Sequence, residues 1–260
     1  MNSPSYHILF LSSWYPSKVH PTLGNFVQRH AEAVATQHQV DVIYVTPDST
    51  CTEIHSESFS RNNLTEHIWY YPAKKPDPWY RLKTFKQAFK HWLKVNGKLP
   101  DIAHLNVLYP AGNQARWLKS EYGVPFVVTE HWTGYHKEHQ VKLNPYQRYN
   151  IIKTAKEAEM ICPVSKHLAD AMKAWGITSS VQVVANVVDT ELFHRAEAQT
   201  IIKQTFLHVS SLVDDHKNIS GMLRVICRVT KVRDDVLFQI VGDGDIKPYQ
   251  KMARDLGIPQ

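Results

Sequence analysis

Residues His7 to Thr36, HILFLSSWYPSKVHPTLGNFVQRHAEAVAT, carry the clearest structural pattern in the chain. It begins with a short apolar run, continues through a loop that contains two prolines, and ends in a segment whose apolar residues recur at helical spacing. Residues 7–12 therefore predict a strand and residues 26–36 a helix. A strand followed by a helix is the unit from which parallel sheets with crossover helices are built.

The same rhythm repeats along the chain. Right-handed crossovers between the segments predict an α/β fold, a doubly wound parallel sheet with helices on both faces. The further predicted strands are 40–45, 68–71, 102–106, 125–129, 160–164 and 181–184, and the further helices are 79–95, 112–122, 145–158 and 166–175.

A second unit begins after a polar stretch at residues 194–203, HRAEAQTIIK. We predict an N-terminal Rossmann-like domain over residues 1–200 and a partial second domain over 201–260. The second domain has less than half the length of an ordinary doubly wound domain, so we expect the sequence to be a fragment. Its predicted strands are 205–210 and 236–241, and its predicted helices are 219–231 and 247–256.

Composition narrows the class of protein. The 260 residues are 43% hydrophobic and 21% charged, which is typical of a globular chain. No apolar run approaches the roughly 20 residues of a membrane-spanning helix, and the start lacks the basic region of a signal peptide. Three dispersed cysteines favour the cytoplasm over a disulfide framework. The net charge of +6 favours anionic partners such as nucleotides, membranes or nucleic acid.

Small or polar residues follow four predicted strands of the first domain. Gly24 ends the first loop, His104 lies near a strand end, His131 follows a strand directly, and Ser165 precedes a helix. Ligands bind at the carboxyl ends of strands in open parallel sheets, so Gly24 and His131 are candidate binding residues. Gly24 either admits a phosphate to a helix N-terminus or only makes the turn. His131 either contacts a substrate or hydrogen-bonds its own loop. Ser165 is expected to cap its helix, because no nucleophile motif surrounds it.

Two further patterns are expected to have structural roles. His131, His136 and His139 suggest a metal site, but the glycine and aromatic residues between them disfavour one helical ligand face. Asn186 and Asp189 follow the last predicted strand of the first domain and are expected to organise a turn.

The second unit has two candidate loops. Lys217 lies in SSLVDDHKN after a predicted strand, where a lysine either holds a diphosphate as a point charge or is solvated at the surface. Gly242 and Gly244 lie in VGDGD after the next strand, where a tight turn can come close to a bound ring. The two aspartates there lack the other ligands of a calcium loop.

The predicted helix within residues 78–100, PWYRLKTFKQAFKHWLKVNGKLP, contains no acidic residue. Two interpretations stand. The helix either packs its apolar face on the sheet and solvates its lysines, or residues 79–98 contact an anionic membrane or an acidic acceptor. Nucleic acid is disfavoured, because no recognised binding module is present. On a helical wheel one narrow stripe holds Lys83, Lys86, Lys90 and Lys94.

Seven motifs in order resemble those of retaining, family-4-type (group 1) glycosyltransferases with a GT-B fold. The resemblance spans essentially the whole chain, and it depends on the order of motifs that are individually weak. The motifs are ILFLSSWYPSKVHPTLGNFVQRHAEAVA (8–35), DIAHLNVLYPAG (101–112), GVPFVVTEHWTGY (123–135), CPVSKHLADAM (162–172), VVANVVDTELF (183–193), FLHVSSLVDDHKNISGML (206–223) and FQIVGDGD (238–245).

The resemblance implies two doubly wound domains facing a cleft and a hexosyltransferase-like reaction with retention. The first domain would bind a polysaccharide, glycan or lipid-linked acceptor, and the second a UDP- or GDP-sugar. Catalysis would need no metal and no other cofactor, because lysine, arginine and a helix N-terminus meet the charge of the leaving diphosphate. The protein would be cytoplasmic, with a peripheral position at the inner face of the membrane as a further expectation.

The resemblance also implies residue roles. Gly24, with Asn25 beside it, corresponds to the loop near the donor phosphates, and His131 to the histidine near the transferred sugar. Lys217 corresponds to the cation that balances the departing diphosphate. The turn of Gly242 and Gly244 corresponds to the one near the nucleotide base.

Two departures from the family pattern qualify these roles. The family commonly has Gly-Arg shortly before the lysine, and this chain has Ser210 and Ser211 there. The arginine cation is therefore missing, and Ser211 occupies its position in the donor loop. The family's pair of glutamates would lie beyond Gln260, so we expect this chain alone to be inactive. A sugar-nucleotide epimerase of the same fold and a non-catalytic binding fragment are the alternatives.

Overall fold

The computed structural model describes residues 5–73, 77–139, 141–195 and 204–258. The chain divides into two compact units, Met1–Phe193 (unit 1) and His194–Gln260 (unit 2). Within the described ranges each unit has its own sheet, of seven strands in unit 1 and two in unit 2.

The sheet of unit 1 is parallel except at one edge. The strands lie in the order β3-β4-β2-β1-β5-β6-β7, and only β3 and β4 pair antiparallel. Their bounds are β1 His7–Ser12, β2 Gln39–Asp48, β3 His55–Arg61, β4 Leu64–Pro72, β5 Ile102–Asn106, β6 Phe126–Glu130 and β7 Met160–Pro163.

Helices cover both faces of this sheet, as a doubly wound fold requires. Helix α1 packs Val27 and Ala31 on one face, against Phe10 and Val42. The helices α2, α3 and α5 cover the other face, and α4 packs beside α3. The bounds are α1 Asn25–Ala35, α2 Pro78–Asn96, α3 Gly112–Tyr122, α4 Pro145–Glu157 and α5 Lys166–Ala174, with short 3-10 turns at Thr133–Tyr135 and Lys137–His139.

Local sequence signals set several helix ends. Asp77 caps α2 by accepting a hydrogen bond from the Tyr80 amide (2.6 Å), and Gly97 ends that helix with a φ of 75°. Ser165 caps α5 by accepting from the Leu168 amide (3.1 Å), which confirms the prediction that it is an N-cap. Asp189 organises a turn as expected, because its carboxylate accepts from the amides of residues 191 and 192.

Unit 1 differs from the predictions at two places. Residues 181–184 do not form a regular strand: Val181 makes an isolated bridge to Ile161, and the amides of Gln182 and Val184 donate to the carbonyls of Ile161 (3.0 Å) and Pro163 (3.1 Å), so the segment runs beside β7 without a full ladder. The strand β3 was not predicted, because SESFSR lacks the apolar alternation of a half-buried strand. Its residues are mostly exposed at the sheet edge, and pairing with β4 holds it in place.

Unit 2 contains a parallel strand pair with helices packed on it. Its core is small and centres on Leu223, Ile226 and Ala253. The described elements match the predicted ones, with the addition of the short helix α6. The bounds are β8 Gln204–Val209, α6 Asp214–Lys217, α7 Ile219–Val229, β9 Val236–Val241 and α8 Lys247–Asp255.

A buried carboxylate ties three strands together at the amino end of the unit 1 sheet. Asp41 on β2 lies between His7 of β1 (2.6 Å) and His67 of β4 (3.2 Å). Burial alone would raise the pKa of Asp41, but the hydrogen bonds from both histidines outweigh it and lower the pKa to about 2. The charged form is therefore favoured in the folded chain, and its contribution is lost as pH falls from about 4 towards 2.

We expect Asp41→Asn to reduce the free energy of unfolding by about 3 kcal/mol at pH 7, because a buried, hydrogen-bonded charge is removed from its partners. Urea denaturation followed by circular dichroism measures this. Asp255→Asn is the matched control, since Asp255 pairs with Lys251 on an exposed face of α8. Equal stability of the two variants would contradict the role given to Asp41.

Candidate functional site

The carboxyl ends of the unit 1 strands are held together by Glu130. This last residue of β6 is fully buried, and its carboxylate accepts hydrogen bonds from the amides of Leu108 (3.0 Å), His131 (2.9 Å) and Trp132 (2.8 Å) and from the hydroxyl of Tyr135 (3.1 Å). Burial raises the pKa of Glu130, and the four donors oppose that rise. The loops after β5 and β6 are thus fixed to one side chain.

His131 follows directly and lies against helix α1. Its ring packs on Phe26 (4.5 Å between centroids) and edge-on to His30 (5.4 Å). Both of its ring nitrogens are buried, and neither makes a hydrogen bond of normal geometry within the described part of the chain, although the Asn186 side chain lies near enough to affect its pKa. A buried polar group without a partner is unusual in a native structure, so this imidazole retains hydrogen-bonding capacity that the described chain does not use.

Three histidines cluster at this place. His104 on β5 bonds Thr129 (2.7 Å), and Nε2 of His30 lies 3.1 Å from Oδ1 of Asn186. Burial, with His30 nearby, lowers the pKa of His104 and of His131 to about 3, and the Asn186 amide opposes the shift of His131 weakly. Both rings are therefore neutral near pH 7, and each offers one donor and one acceptor.

A second orphaned side chain lies on the neighbouring strand. Asn106 ends β5 opposite Thr129 of β6, it is fully buried, and its amide nitrogen and oxygen have no partner within the described ranges. The carboxyl edge of β5 and β6 therefore carries two side chains with unused hydrogen-bonding capacity, Asn106 and His131.

Gly24 begins helix α1 beside this edge. It has a φ of 71°, and a Cβ there would lie 2.5 Å from the backbone carbonyl of Trp14. Glycine is required for the turn and for close packing of the helix start on the loop after β1. Asn25 follows as the exposed first residue of the helix. The structure thus brings Gly24, Asn25 and His131 to one region, with Phe26 linking helix and histidine.

A cleft of about 950 Å³ opens beside the carboxyl ends of β1, β2 and β4. The N-terminal ends of α2 and α4 close it on the far side. Arg81 of α2 is 4% exposed and lines the cleft, and its guanidinium donates to the carbonyl of Ser12 (2.7 Å). The aromatic lining consists of Trp14, Tyr44, Trp79, Tyr109 and Tyr146.

In unit 2, the loops after β8 and β9 pack on one another. A Cβ on Gly242 would lie 2.0 Å from the Ser210 carbonyl oxygen, and one on Gly244 would lie 2.3 Å from that of Ser211. Both glycines are therefore needed for this close approach. Ser211, Gly242 and Gly244 meet at the carboxyl edge of the small sheet.

Lys217 belongs to the same end of unit 2. It is the last residue of α6, whereas the sequence predicted a loop there, and its side chain is exposed. It makes no ion pair with the residues that the structure describes, so its ammonium is available to an anion.

Sequence reasoning missed Glu130 and Arg81 as organising residues. Arg81 falls on the wheel of α2 opposite the lysine stripe, among Phe85 and Phe89, and that position predicts burial. Glu130 had a weaker signal, a carboxylate directly after an apolar strand.

The other patterns have simple outcomes. His136 stacks on His167 (4.2 Å) and lies 6.1 Å from His139, whereas His131 faces α1. Within the described ranges, no three His, Cys, Asp or Glu side chains are placed so that they could hold a metal ion together. In the same ranges no helix is long and apolar enough to span a bilayer.

Sequence comparison decides the family. The model of Glycosyltransferase Family 4 matches residues 23–192, which lie within unit 1 and make up more than half of the chain. The chain belongs to Glycosyltransferase Family 4. The match includes Gly24, Glu130 and His131. No curated protein matches the sequence.

Solved structures give this family-4 chain its fold type. The catalytic domain of starch synthase IV from Arabidopsis thaliana, bound to ADP and acarbose, has a TM-score of 0.60 at 12% identity; the alignment covers 98% of this chain and 71% of that one. A UDP-forming α,α-trehalose-phosphate synthase from Burkholderia xenovorans, in complex with glucose-6-phosphate, has a TM-score of 0.61 at 13% identity, with 97% and 70% covered. The fold is α/β and of the GT-B type, as predicted.

The neutral histidines make stability depend on pH. Since the unfolded chain protonates them below about 6.5 and the folded chain does not, stability is complete above that pH and falls on acidification towards 3. We expect His131→Phe to weaken this dependence by up to about 1.4 kcal/mol per pH unit. Urea denaturation at pH 7.5 and pH 5.0 measures the slope. The exposed His20→Phe is the control, and an unchanged slope in His131→Phe would refute the explanation.

Proposed function

We propose that this chain takes part in the transfer of a sugar from a nucleotide-diphosphate sugar to a glycan or lipid-linked acceptor, with retention of the anomeric configuration. Membership of Glycosyltransferase Family 4 supports the transfer. The observation that carries the proposal for this chain is the pair of buried, unpartnered side chains, Asn106 and His131, within the matched region. Such groups are typical of a polar ligand site, and sugar hydroxyls satisfy both donors and acceptors.

The proposed role of unit 2 is to hold the donor diphosphate. Lys217 supplies a free positive charge, and the closely packed loops of Ser211, Gly242 and Gly244 lie at the same carboxyl edge of the small sheet. A preorganised cation and backbone donors stabilise a departing diphosphate without a metal. A UDP- or GDP-sugar is the proposed donor; the starch synthase structure holds ADP, and the trehalose-phosphate synthase is UDP-forming.

The proposed role of unit 1 is to hold the acceptor and face the transferred sugar. The cleft lined by Arg81 and aromatic side chains has the size of a saccharide site. His131, neutral at pH 7, contacts the sugar through a hydrogen bond and is not a charged acid. Gly24 and Asn25 present the N-terminus of α1 to anionic groups.

A peripheral membrane contact is the last part of the proposal. The apolar face of α2 packs on the sheet, and its other face keeps Lys83, Lys90 and Lys94 exposed. Trp79 is 73% exposed and lies on the same face. Lysines beside an exposed tryptophan are typical of helices that lie on anionic lipid. Lys86 is instead half-buried over Trp117 (5.2 Å).

Donor binding tests the proposal through Lys217. We expect Lys217→Ala to weaken binding of the preferred donor about tenfold, the loss of one charge-assisted contact. Saturation-transfer NMR with UDP-, GDP- and ADP-sugars measures millimolar affinities. Lys231→Ala, an exposed lysine after α7, is the matched control.

The outcomes separate the alternatives. Equal donor affinity in the native chain and Lys217→Ala would reject the role of Lys217. Acceptor-dependent release of free nucleoside diphosphate supports transfer and excludes the epimerase. Donor binding without such release would favour a non-catalytic binding fragment.

Liposome sedimentation tests the membrane contact. We expect the native chain to sediment with vesicles containing 30% phosphatidylserine and not with neutral vesicles, because each lysine near an anionic surface contributes about 1 kcal/mol. Replacing Lys83, Lys90 and Lys94 by Gln should abolish sedimentation. The same exchange at three other exposed lysines is the control, namely Lys142, Lys166 and Lys173. Equal loss in both triple variants would contradict a specific contact through α2.

A further inference from the structure

The cleft of unit 1 contains a cation whose charge is not balanced. Arg81 is 4% exposed, and none of the described carboxylates lies within 4.0 Å of its guanidinium. A buried charge is costly unless it is paired and fully hydrogen-bonded. The folded chain already bears the free-energy cost of burying the Arg81 guanidinium. An anion that binds in the cleft would therefore gain a charge–charge contact with it.

The protein contacts of Arg81 leave donors unused. One terminal nitrogen, Nη2, donates to the carbonyl oxygens of Ser12 (2.7 Å) and, more weakly, Ser13 (3.4 Å). The guanidinium also lies over the ring of Tyr44 at 5.5 Å. Nε is buried and has no partner in the described ranges. Arginine has five N–H donors in a planar fork, so a carboxylate or phosphate can take up the free ones in pairs.

The acidic residue in the cleft wall does not supply that partner. Among the described residues that line the cleft, Asp77 is the only acid. Its Oδ1 caps α2 by accepting from the Tyr80 amide, and the residue is otherwise exposed. The lysines of α2 lie on the opposite side of the helix from Arg81. The cleft therefore presents one preorganised cation to a ligand.

The rest of the lining fits a saccharide. Trp79 and Tyr146 are exposed at the rim, while Trp14 and Tyr109 are half-buried. Flat aromatic faces accommodate the C–H face of a sugar ring, and the tyrosine hydroxyls reach its polar edge. A cleft with one cation and several aromatic rings is suited to a ligand with one anionic group and an apolar ring face.

We infer that the acceptor of this chain is an acidic saccharide, whose carboxylate or phosphate group binds Arg81 while its ring rests on the aromatic wall of the cleft. The inference deepens the proposed function, since it names the class of acceptor for the proposed transfer. Arg81 then selects charged over neutral acceptors, because only a charged one gains a charge-assisted, two-pronged contact.

Binding of small sugars without donor tests this inference. The probes are glucose, glucuronate, glucose 6-phosphate and inorganic phosphate, and the signal is the fluorescence of the tryptophans, two of which line the cleft. We expect glucuronate, glucose 6-phosphate or both to bind at least tenfold more tightly than glucose. The two charged sugars distinguish a carboxylate from a phosphate ligand.

Variants of Arg81 locate the effect. Arg81→Gln should remove the preference for charged sugars, and Arg81→Lys should retain part of it. Arg29→Gln is the matched control, because Arg29 is exposed on α1 and pairs only with Glu32 in the described structure. Circular dichroism checks that each variant folds. If Arg81→Gln does not fold, the native chain still decides: added NaCl should weaken binding of the charged sugars and leave that of glucose unchanged.

Several outcomes would overturn the inference. These are equal binding of glucose and the charged sugars, a preference that persists in folded Arg81→Gln, or no binding of any charged sugar. Inorganic phosphate binding as tightly as glucose 6-phosphate would refute the saccharide part. The measurement uses no nucleotide, so its failure is distinguishable from failure of the donor titration that tests Lys217.

Discussion

The carboxylate of Glu130 is the contact on which the carboxyl edge of unit 1 depends. A fully buried carboxylate is unfavourable on its own, and here four donors from two loops converge on it. Two of the donors are the amides of residues 131 and 132, so the Glu130 side chain fixes the direction in which the chain leaves β6. The same side chain also holds the backbone amide of Leu108 in the loop after β5. The imidazole of His131 is thereby held against α1 without a hydrogen bond of normal geometry to the described residues. The hydrogen bonds that fix the two loops end on Glu130, whereas the ring nitrogens of the neighbouring His131 remain without a partner in the described ranges.

Periodicity predicted most of the fold because most elements bury one face. The bounds of β1, β5, α3 and β9 agree with prediction, since turn or capping residues flank clear apolar patterns. The failures have a shared cause: the apolar pattern of a segment does not show whether a neighbouring strand will pair with it. β3 is polar and exposed, and it is a strand only because β4 offers its edge. Residues 181–184, VQVV, have the pattern of a strand, but they make only an isolated bridge and two further backbone hydrogen bonds to β7 and do not complete a ladder.

The candidate site was predictable to the extent that topology determines it. Strand ends of a parallel sheet share an edge, and Gly24, His131 and Asn106 accordingly come together there. What sequence could not supply is which polar groups are satisfied by the protein itself. Asn186, expected only to shape a turn, lies beside His30, while Asn106 is buried without a partner. The glycines show the same limit: Gly24 and Gly242 each make a backbone contact that excludes a side chain, so their presence alone does not imply a ligand.

The two kinds of positive charge on α2 follow from one geometric fact. A crossover helix turns one side to the sheet and the other to solvent, and Arg81 lies on the first side while Lys83 and Lys90 lie on the second. Solvated lysines attract anionic surfaces over about a Debye length, roughly 8 Å in physiological salt, and they discriminate little between one anionic ligand and another. A buried guanidinium acts only at contact and imposes geometry. If both act, the exposed face concentrates the chain where acidic or lipid-linked acceptors are displayed, and Arg81 decides which of them enters the cleft.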